Sequence, residues 1–324
     1  MLDFDTPRAC QVLTGRFPAL LSTVGCATMT EMKKYCIVPL AAWLLTACDR
    51  SEHSDEPRTP DEMYARVQAL LKPHVEGEQS DFAGALQWLH KAAEAGHLQA
   101  QIDLGGIYLQ GGKGVEPNPQ EAFRWFSKAA EQGSKESLVY LGTMLCNGQG
   151  CTKDVAKAQE YLKKAAAAGL PEAQYRLGML LLQDDSGDYP AALENLRLAA
   201  SGKSLHTAAM AARALGNIYA KGHAGVAPDM QQASAWYKQA ARGGDARSQL
   251  VYAIMLLAGE NVPRDEEQGM ALLRMAAGQD YPQAMALLIN LLRNSPQADQ
   301  FEAEAAAWSE RLESLRKKTP QPTE

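Results

Sequence analysis

An Ala-Ala doublet returns along this chain at a nearly constant spacing of 34 to 41 residues, and a Leu-Gly doublet keeps the same pace. The copies lie at Ala92–Ala93, Ala129–Ala130, Ala165–Ala166, Ala199–Ala200, Ala240–Ala241 and Ala276–Ala277, and at Leu104–Gly105, Leu141–Gly142, Leu177–Gly178 and Leu215–Gly216. Self-similarity with this period is typical of stacked helical hairpins, in which neighbouring units bury each other's apolar faces. Such chains mostly present an extended concave surface to another protein.

The unit from 98 to 133 shows how the first helix of a repeat would fold. Ala100, Leu104 and Tyr108 are four residues apart, which places them on one face of a helix. Glycines at 111, 112 and 114 then interrupt the pattern. The small residue Gly105 on the apolar face predicts a close approach to a neighbouring helix.

The second helix of the same unit has a recognisable start and end. Asn118 is a suitable N-cap, and Pro119 suits the first helical position because no amide hydrogen is needed there. The helix would end at Gly133, where a left-handed residue is wanted. Its apolar stripe comprises Ala122, Trp125, Phe126, Ala129 and Ala130. Small Ala129 predicts, together with Gly105, that the two helix backbones come close.

The same pattern returns down the chain. Aspartates stand where each second helix needs an N-cap, at Asp81, Asp154, Asp188, Asp229 and Asp265. Aromatic residues occupy one place in the second helix, at Trp88, Trp125, Tyr161 and Trp236. With the loop motif G-x-x-G-V-x-x-D at Gly222 to Asp229, the chain resembles the Sel1-like repeat proteins, relatives of the tetratricopeptide solenoids, from residue 81 to about 294.

The resemblance implies an all-α fold: a right-handed α-solenoid of about six Sel1-like helix-turn-helix repeats. We expect the solenoid to span residues 61–318. A first helix would lie in Asp61 to Pro73, and an amphipathic helix from Phe301 to Lys318 would cap the far end. Residues 319–324 are expected to be a disordered tail.

The N-terminal segment resembles the signal peptide of bacterial lipoproteins. The predicted signal peptide, residues 32–47, begins with a basic stretch and continues as an apolar run. Its end and the next residue form Leu45-Thr46-Ala47-Cys48, which matches the lipobox pattern L-[AST]-[AG]-C. This implies that Cys48 is lipidated and becomes the first residue after cleavage. The alternative is a buried apolar helix that ends by chance in a cysteine.

The resemblance also divides the rest of the N-terminal region. Residues 1–31 would be a mis-called extension, with the true start at Met29 or Met32. Residues 48–60, charged and without large apolar side chains, would form a disordered tether. Asp49, directly after the lipidated cysteine, resembles the inner-membrane retention signal of enteric lipoproteins. We therefore expect a lipoprotein of the bacterial cell envelope that faces the periplasm, with the inner membrane favoured over the outer membrane.

Charge argues against nucleic acid as a partner. The chain has a net charge of −6, and residues 1–48 contribute four basic and three acidic side chains, so the mature part carries −7. A mildly acidic surface does not attract nucleic acid or an anionic bilayer. Contact with the membrane would depend on the lipid anchor.

Only two cysteines follow Cys48, namely Cys146 and Cys151. Two thiols five residues apart across a glycine-containing turn, in an oxidising compartment, favour a disulfide. The alternative is a pair of free, small apolar side chains. No second Cys/His pair accompanies them, so the sequence predicts no metal site.

Known catalytic motifs are missing from the repeats. The sequence contains no H-E-x-x-H, no G-x-S-x-G and no phosphate-binding G-x-x-x-x-G-K-[ST]. A cysteine-rich branch of the Sel1-like family has been described as binding or hydrolysing β-lactams, but its members bridge two helices in each repeat. Here a single pair lies in a turn, so that activity is not carried over. We expect no enzyme, no cofactor and no small-molecule substrate; a β-lactam-binding hydrolase remains a distant alternative.

The resemblance to tetratricopeptide solenoids also implies where a partner binds. Their concave face is lined by the first helix of each unit, beside the structural Leu-Gly doublet. The residues at these places that we expect to contact a protein partner are Gln110, Thr143, Asn147, Tyr175, Met179, Arg213, Asn217 and Lys221. Alternatively, Tyr175 and Met179 pack between helices.

The expected fold and the expected location in the cell envelope together suggest two functions. Membrane-anchored Sel1-like proteins resemble some immunity proteins that neutralise phospholipase effectors of type VI secretion in the periplasm. The alternative is a general envelope adaptor with another protein partner.

Overall fold

The structure is a computed structural model that describes residues 57–72, 81–112, 114–183, 188–223 and 225–318. Most of the predicted N-terminal segments, including Cys48, and the tail 319–324 lie outside the described residues. The chain divides into two units, Met1–Glu62 and Met63–Glu324, and the repeats belong to the second.

Fourteen α-helices account for the regular structure of the described residues, and no strand occurs there. In chain order they are α1 Pro60–Leu71, α2 Phe82–Glu94, α3 Leu98–Gln110, α4 Pro119–Glu131, α5 Lys135–Asn147, α6 Val155–Ala167, α7 Pro171–Gln183, α8 Tyr189–Ala200, α9 Leu205–Lys221, α10 Met230–Arg242, α11 Ala246–Ala258, α12 Glu266–Gly278, α13 Pro282–Arg293 and α14 Ala298–Lys318.

The helices pack as a series of hairpins. The odd-numbered helices from α3 to α13 are called first helices below, and the even-numbered helices from α2 to α14 are called second helices. Each first helix packs against the second helix that follows it. Each second helix also contacts the first helix of the next hairpin. In addition α7 touches both α5 and α9, so neighbouring first helices approach each other directly. The stack is an all-α solenoid, as expected. Because elements on the inner side of a curved stack are the more crowded, we infer that the first helices line its inner face.

Local capping explains where the second helices begin and end. Asp81, Asn118, Asp154, Asp188, Asp229 and Asp265 each accept a hydrogen bond from a backbone N–H of the helix that follows, as the sequence predicts. At the other end, Gly96, Gly133 and Gly169 have φ of 93°, 90° and 82°. A side chain in that conformation is strained, which is why glycine is found there.

The glycine of each Leu-Gly doublet lies against the second helix of its own hairpin. A Cβ added at Gly105 would lie 2.8 Å from the ring of Phe126, and one at Gly216 would lie 2.8 Å from the ring of Tyr237. These two glycines leave room for a large side chain of the second helix. A Cβ at Gly142 would lie 3.3 Å from the Ala158 carbonyl oxygen, and one at Gly178 would lie 3.0 Å from the Ala192 carbonyl oxygen, so these glycines also lie close to the backbone of the second helix. That Gly105 and Ala129 together bring two backbones close stays a prediction.

In the fifth hairpin, formed by α11 and α12, the glycine at this contact lies in the second helix instead of the first. Ala253 replaces the glycine of the first helix α11, and Gly269 of the second helix α12 is buried opposite it. A Cβ at Gly269 would lie 2.8 Å from the Leu257 side chain and 3.3 Å from the Ala253 carbonyl oxygen. The glycine has moved to the facing helix, which preserves the close contact between the two helices.

Buried glutamines join successive hairpins. Gln101, Gln174 and Gln249 occupy the same place in α3, α7 and α11, and each donates its side-chain amide to a backbone carbonyl eight residues earlier, at 3.0, 3.4 and 3.2 Å. The accepting carbonyls lie in the last turn of the preceding second helix, whose final C=O groups have no partner within the helix. The glutamines therefore fasten each of these first helices to the hairpin before it.

The C-terminal helix α14 covers the last hairpin, as the sequence predicts. It begins at Ala298, three residues before the predicted start, and buries Ala305 and Leu312 in a cluster that includes Leu288 of α13. The Arg274 guanidinium donates two hydrogen bonds to the Glu304 carboxylate, at 2.7 and 3.0 Å. The helix thus covers apolar surface that would otherwise face water.

Candidate functional site

Two neighbouring pockets lie on the inner face of the solenoid. The basic pocket, of about 370 Å³, is lined by Tyr175, Met179, Leu182, Gln183, Met210, Arg213, Ala214, Asn217, Ile218, His223 and Arg247. The acidic pocket, also of about 370 Å³, is lined by Leu109, Glu136, Val139, Tyr140, Thr143, Met144, Gln149, Leu170, Glu172 and Arg176. Every helical residue of both sets belongs to a first helix, so the pockets lie on the face where we expected a partner.

The structure brings four of the eight predicted contact residues together in the basic pocket: Tyr175, Met179, Arg213 and Asn217. Tyr175 and Met179 come from α7, whereas Arg213 and Asn217 come from α9. A fifth, Thr143, lines the acidic pocket. Gln110, Asn147 and Lys221 are exposed at the ends of α3, α5 and α9 and line neither of these two pockets.

Tyr175 and Met179 satisfy both interpretations of their role. Each is partly buried and packs against the apolar cluster that contains Leu193, Leu215 and Ile218. Each also lines the basic pocket with the part of its side chain that remains accessible. The two residues therefore support the junction between hairpins and form an apolar floor for a ligand.

The polar groups of the basic pocket are only partly occupied by contacts within the chain. The Arg213 guanidinium lies 3.6 Å from a carboxylate oxygen of Asp245, the N-cap of α11. The side-chain oxygen of Asn217 accepts a 2.8 Å hydrogen bond from the Tyr237 hydroxyl, and burial raises the pKa of that hydroxyl. Arg247 takes part in no ion pair or hydrogen bond within the part of the chain that the structure describes. The pocket thus keeps donors free for a ligand.

In the acidic pocket, more of the polar side chains already have partners within the chain. Glu172 pairs with Arg176 at 2.7 Å and accepts a 3.1 Å hydrogen bond from the Thr207 hydroxyl. The hydroxyl of Thr143 donates to the Val139 carbonyl of its own helix at 2.8 Å. Glu136 is exposed at the start of α5. Of the carboxylates here, Glu136 is the one best placed to meet a partner.

Sequence reasoning missed one row of inner-face residues. Glu136, Glu172, Met210 and Arg247 each stand directly before the buried small residue or alanine that opens the apolar face of a first helix. They lie three residues before the row formed by Val139, Tyr175, Arg213 and Leu250, which is the spacing of neighbours on one helix face. The helical period would therefore have identified them, had the rows been extended by one turn toward the N-terminus.

Cys146 and Cys151 are free thiols in the structure, without the bridge that their spacing suggested. Cys146 lies in the last turn of α5, near Lys153 and Arg176, whereas Cys151 packs beside the cluster that contains Phe126. Burial raises the pKa of both thiols. The two side chains thus lie in different surroundings, and the disulfide stays a prediction about the oxidised protein.

Among the described residues, no three His, Cys, Asp or Glu side chains cluster closely enough to hold a metal ion. None of the helices in the described ranges combines the length and the apolar character that a bilayer crossing requires.

Comparison with known proteins identifies the repeats. The sequence profile of the Sel1 repeat matches residues 75–97, 98–134, 135–170, 171–204, 209–245 and 246–281, more than half of the chain. The chitin synthase regulator SKT5 of Saccharomyces cerevisiae is 30% identical over 234 residues, which cover 69% of this chain and 34% of that protein. The chain thus spans only about a third of that relative's length.

One solved structure shows the same fold. The crystal structure of a Sel1 repeat protein from Oxalobacter formigenes has a TM-score of 0.63 at 24% identity, and the match covers 79% of this chain and 98% of that one. The immunity protein Pa5087 from Pseudomonas aeruginosa has a TM-score of 0.44 at 22% identity, with 72% and 86% covered; at that score the likeness says nothing about what this chain binds. The six matched repeats and the hairpin stack agree: the chain belongs to the Sel1 repeat family.

Proposed function

We propose that the chain is a lipid-anchored, periplasm-facing module that binds a protein on its inner face. Sel1 repeats form protein-interaction scaffolds, and the observation that carries the proposal is the pair of adjoining pockets lined by first helices. Each pocket combines apolar side chains with charged groups, which is the composition of a recognition surface. SKT5 is by name the regulator of an enzyme, which is in keeping with a function exerted through another protein.

Capture of a partner from envelope extract tests the protein-binding function. Thr143→Trp would fill the acidic pocket, and Tyr175→Ala would remove the floor of the basic pocket. Both should weaken capture of the same partner, whereas Lys163→Ala on α6 should not, because Lys163 is exposed on a second helix away from both pockets. Circular dichroism at the assay temperature verifies that each variant is folded. Undiminished capture by both pocket variants would refute binding at the inner face.

The lipid anchor is supported by the sequence Leu45-Thr46-Ala47-Cys48 and by the basic and apolar stretch before it. Acyl chains on Cys48 would supply the membrane affinity. Cys48→Ser should leave an unprocessed or soluble periplasmic form, and globomycin should block processing of the unaltered protein. If neither treatment changes size or fractionation, the chain is not a lipoprotein.

For the partner, we propose a phospholipase effector of type VI secretion, with the chain as its immunity protein. Asp49 after the lipidated cysteine would hold the chain at the periplasmic face of the inner membrane, where such effectors act. A deletion strain should then be killed by secretion-competent siblings, and the cloned gene should restore protection. Survival equal to wild type would leave the alternative, a general envelope adaptor.

A further inference from the structure

The basic pocket has an unexpected charge for a protein with a net charge of −6. Its lining includes the guanidinium groups of Arg213 and Arg247, the imidazole of His223 and the side-chain amides of Gln183 and Asn217. Among the residues that the structure describes, no carboxylate lines it. The neighbouring acidic pocket has two carboxylates and one guanidinium. The sign of the charge therefore changes along the inner face.

The pocket presents hydrogen-bond donors without enough acceptors. The side-chain oxygen of Asn217 already accepts a hydrogen bond from the Tyr237 hydroxyl. The group that Asn217 can offer a ligand is therefore its amide nitrogen, which is a donor. Arg213 has a single long contact with Asp245, at 3.6 Å, although a guanidinium carries five N–H groups. Arg247 adds five more and has no carboxylate partner among the described residues. A ligand that fits this set must bring acceptors, and a carboxylate matches a guanidinium best.

The floor of the same pocket is apolar. Tyr175, Met179, Met210 and Ile218 line it beneath the donors. A carboxylate alone would leave these side chains uncovered, whereas an apolar group next to the carboxylate would remove them from water. The ligand therefore needs both features within a few ångströms of each other, as in a polypeptide where an acidic residue neighbours an apolar one.

We propose that the basic pocket binds an acidic segment of the protein partner. An Asp or Glu side chain accepts hydrogen bonds from Arg247 and Asn217, and a neighbouring apolar side chain covers Tyr175 and Met179. This rests on the proposed protein-binding function of the inner face and adds the chemistry of the bound segment. An anionic lipid surface fits less well, because the net negative charge of the chain repels it.

Selection from a random twelve-residue phage library on the purified full-length protein tests the proposal. The recovered peptides should be enriched in Asp or Glu next to a large apolar residue. The enrichment should disappear with Arg247→Gln and persist with Arg242→Gln, an exposed charge at the end of α10 that lines neither of the two pockets. Both arginines are exposed, so neither substitution disturbs the core.

Affinity then gives the magnitude. By fluorescence anisotropy, the most enriched peptide should bind Arg247→Gln about tenfold more weakly than the unaltered protein, as expected for loss of one charge-assisted hydrogen bond. Replacing the acidic residue of the peptide by its amide should have a similar effect, and the two changes together should not add. Equal affinity for the acid and amide peptides would overturn the proposal.

The remaining outcomes separate this inference from the function on which it rests. Recovery of no acidic peptide overturns the inference, and sedimentation with phosphatidylglycerol vesicles that depends on Arg247 would identify a lipid-headgroup site instead. Partner capture that is lost with Thr143→Trp but kept with Arg247→Gln would also overturn it, while leaving the protein-binding function intact. Capture that no inner-face variant affects would refute the protein-binding function itself.

Discussion

Arg213 of α9 lies 3.6 Å from Asp245, the residue that caps the N-terminus of α11. The contact joins the fourth and fifth hairpins, and the same carboxylate accepts hydrogen bonds from the backbone N–H and hydroxyl of Ser248 at 2.8 and 2.6 Å. Arg213 therefore lines the basic pocket and, through Asp245, also connects α9 to α11. We therefore expect its replacement to change stability as well as binding.

A double-mutant cycle separates these two effects. Arg213→Ala should weaken partner capture and lower the free energy of unfolding by less than about 1 kcal/mol, since both groups are partly exposed. Asp245→Asn keeps a capping side chain but removes the ion pair, so it should cost a similar amount of stability and leave capture intact. Denaturant unfolding of both single variants and of the double variant measures the coupling. A coupling energy of zero would mean that the ion pair contributes nothing.

Two adjacent glycines of α3 provide a matched test of the packing. Gly105→Ala places a methyl group 2.8 Å from the Phe126 ring and should destabilise the protein by roughly 1–3 kcal/mol, because a filled site must rearrange. Gly106→Ala meets nothing within 4 Å and should stabilise it by roughly 0.5–1 kcal/mol through helix propensity. Thermal melts compare them. Shifts of the same sign would show that the faces of α3 are assigned wrongly.

The buried glutamine of the fifth hairpin should matter more than its polarity suggests. Gln249 is fully buried, donates to the Ala241 carbonyl and accepts from the Gln279 amide at 2.9 Å. Gln249→Leu removes both hydrogen bonds, although the Ala241 carbonyl keeps the N–H of Gly244 at 3.1 Å. At about 0.5–1.5 kcal/mol for each hydrogen bond, the substitution should cost about 1–3 kcal/mol. Gln231→Leu, at an exposed place in α10, should cost less than about 0.5 kcal/mol. Urea unfolding measures both, and equal costs would contradict the fastening role of Gln249.

Acid should loosen the C-terminal cap. The hydrogen bonds from Arg274 hold the pKa of the Glu304 carboxyl below its usual value of 4.5. A carboxyl with a depressed pKa contributes stability above its unfolded pKa, and that contribution is lost as the pH falls through its folded pKa. The free energy of unfolding should therefore fall between pH 5 and about 3, and Glu304→Gln should make this fall smaller. The difference should be less than about 1 kcal/mol, because the pair is partly exposed. Unfolding of this variant and of Glu310→Gln across that range measures the difference, and identical pH profiles would argue against the pair.

The cysteine pair reports on the compartment. In an oxidising periplasm we expect Cys146 and Cys151 to become joined, which non-reduced mass spectrometry would detect as the loss of two hydrogens. In reduced protein, the raised pKa of each thiol keeps the thiolate scarce at neutral pH, so alkylation by iodoacetamide should be slow and should accelerate as the pH rises. Two free thiols in protein isolated from aerobic cells would rule out the bridge.

The helices and many of their ends could be predicted from residue type and spacing. A cap such as Asp154 needs only the backbone N–H of Lys157, three residues later, and Gly133 needs only its own left-handed backbone conformation. Both requirements lie within a single turn of the chain, so residue type and spacing reveal them. The period of the repeats likewise required a stack of hairpins, because no single unit buries its apolar face.

Which side chains meet across hairpins depends on the packing of the folded chain. Tyr175, Arg213 and Arg247 come from three successive hairpins, and the basic pocket exists only because of how those hairpins are rotated against each other. That rotation depends on the volumes packed between them, such as Tyr237 of α10 and Tyr252 of α11, which share one apolar cluster. The helical period placed Arg213 on the inner face, but it could not show that Asp245 would lie 3.6 Å from its guanidinium. Nor could it show that Arg247 would line the same pocket with no carboxylate partner among the described residues. Contacts between hairpins depend on the packing of the whole stack, and a pattern within one repeat does not contain them.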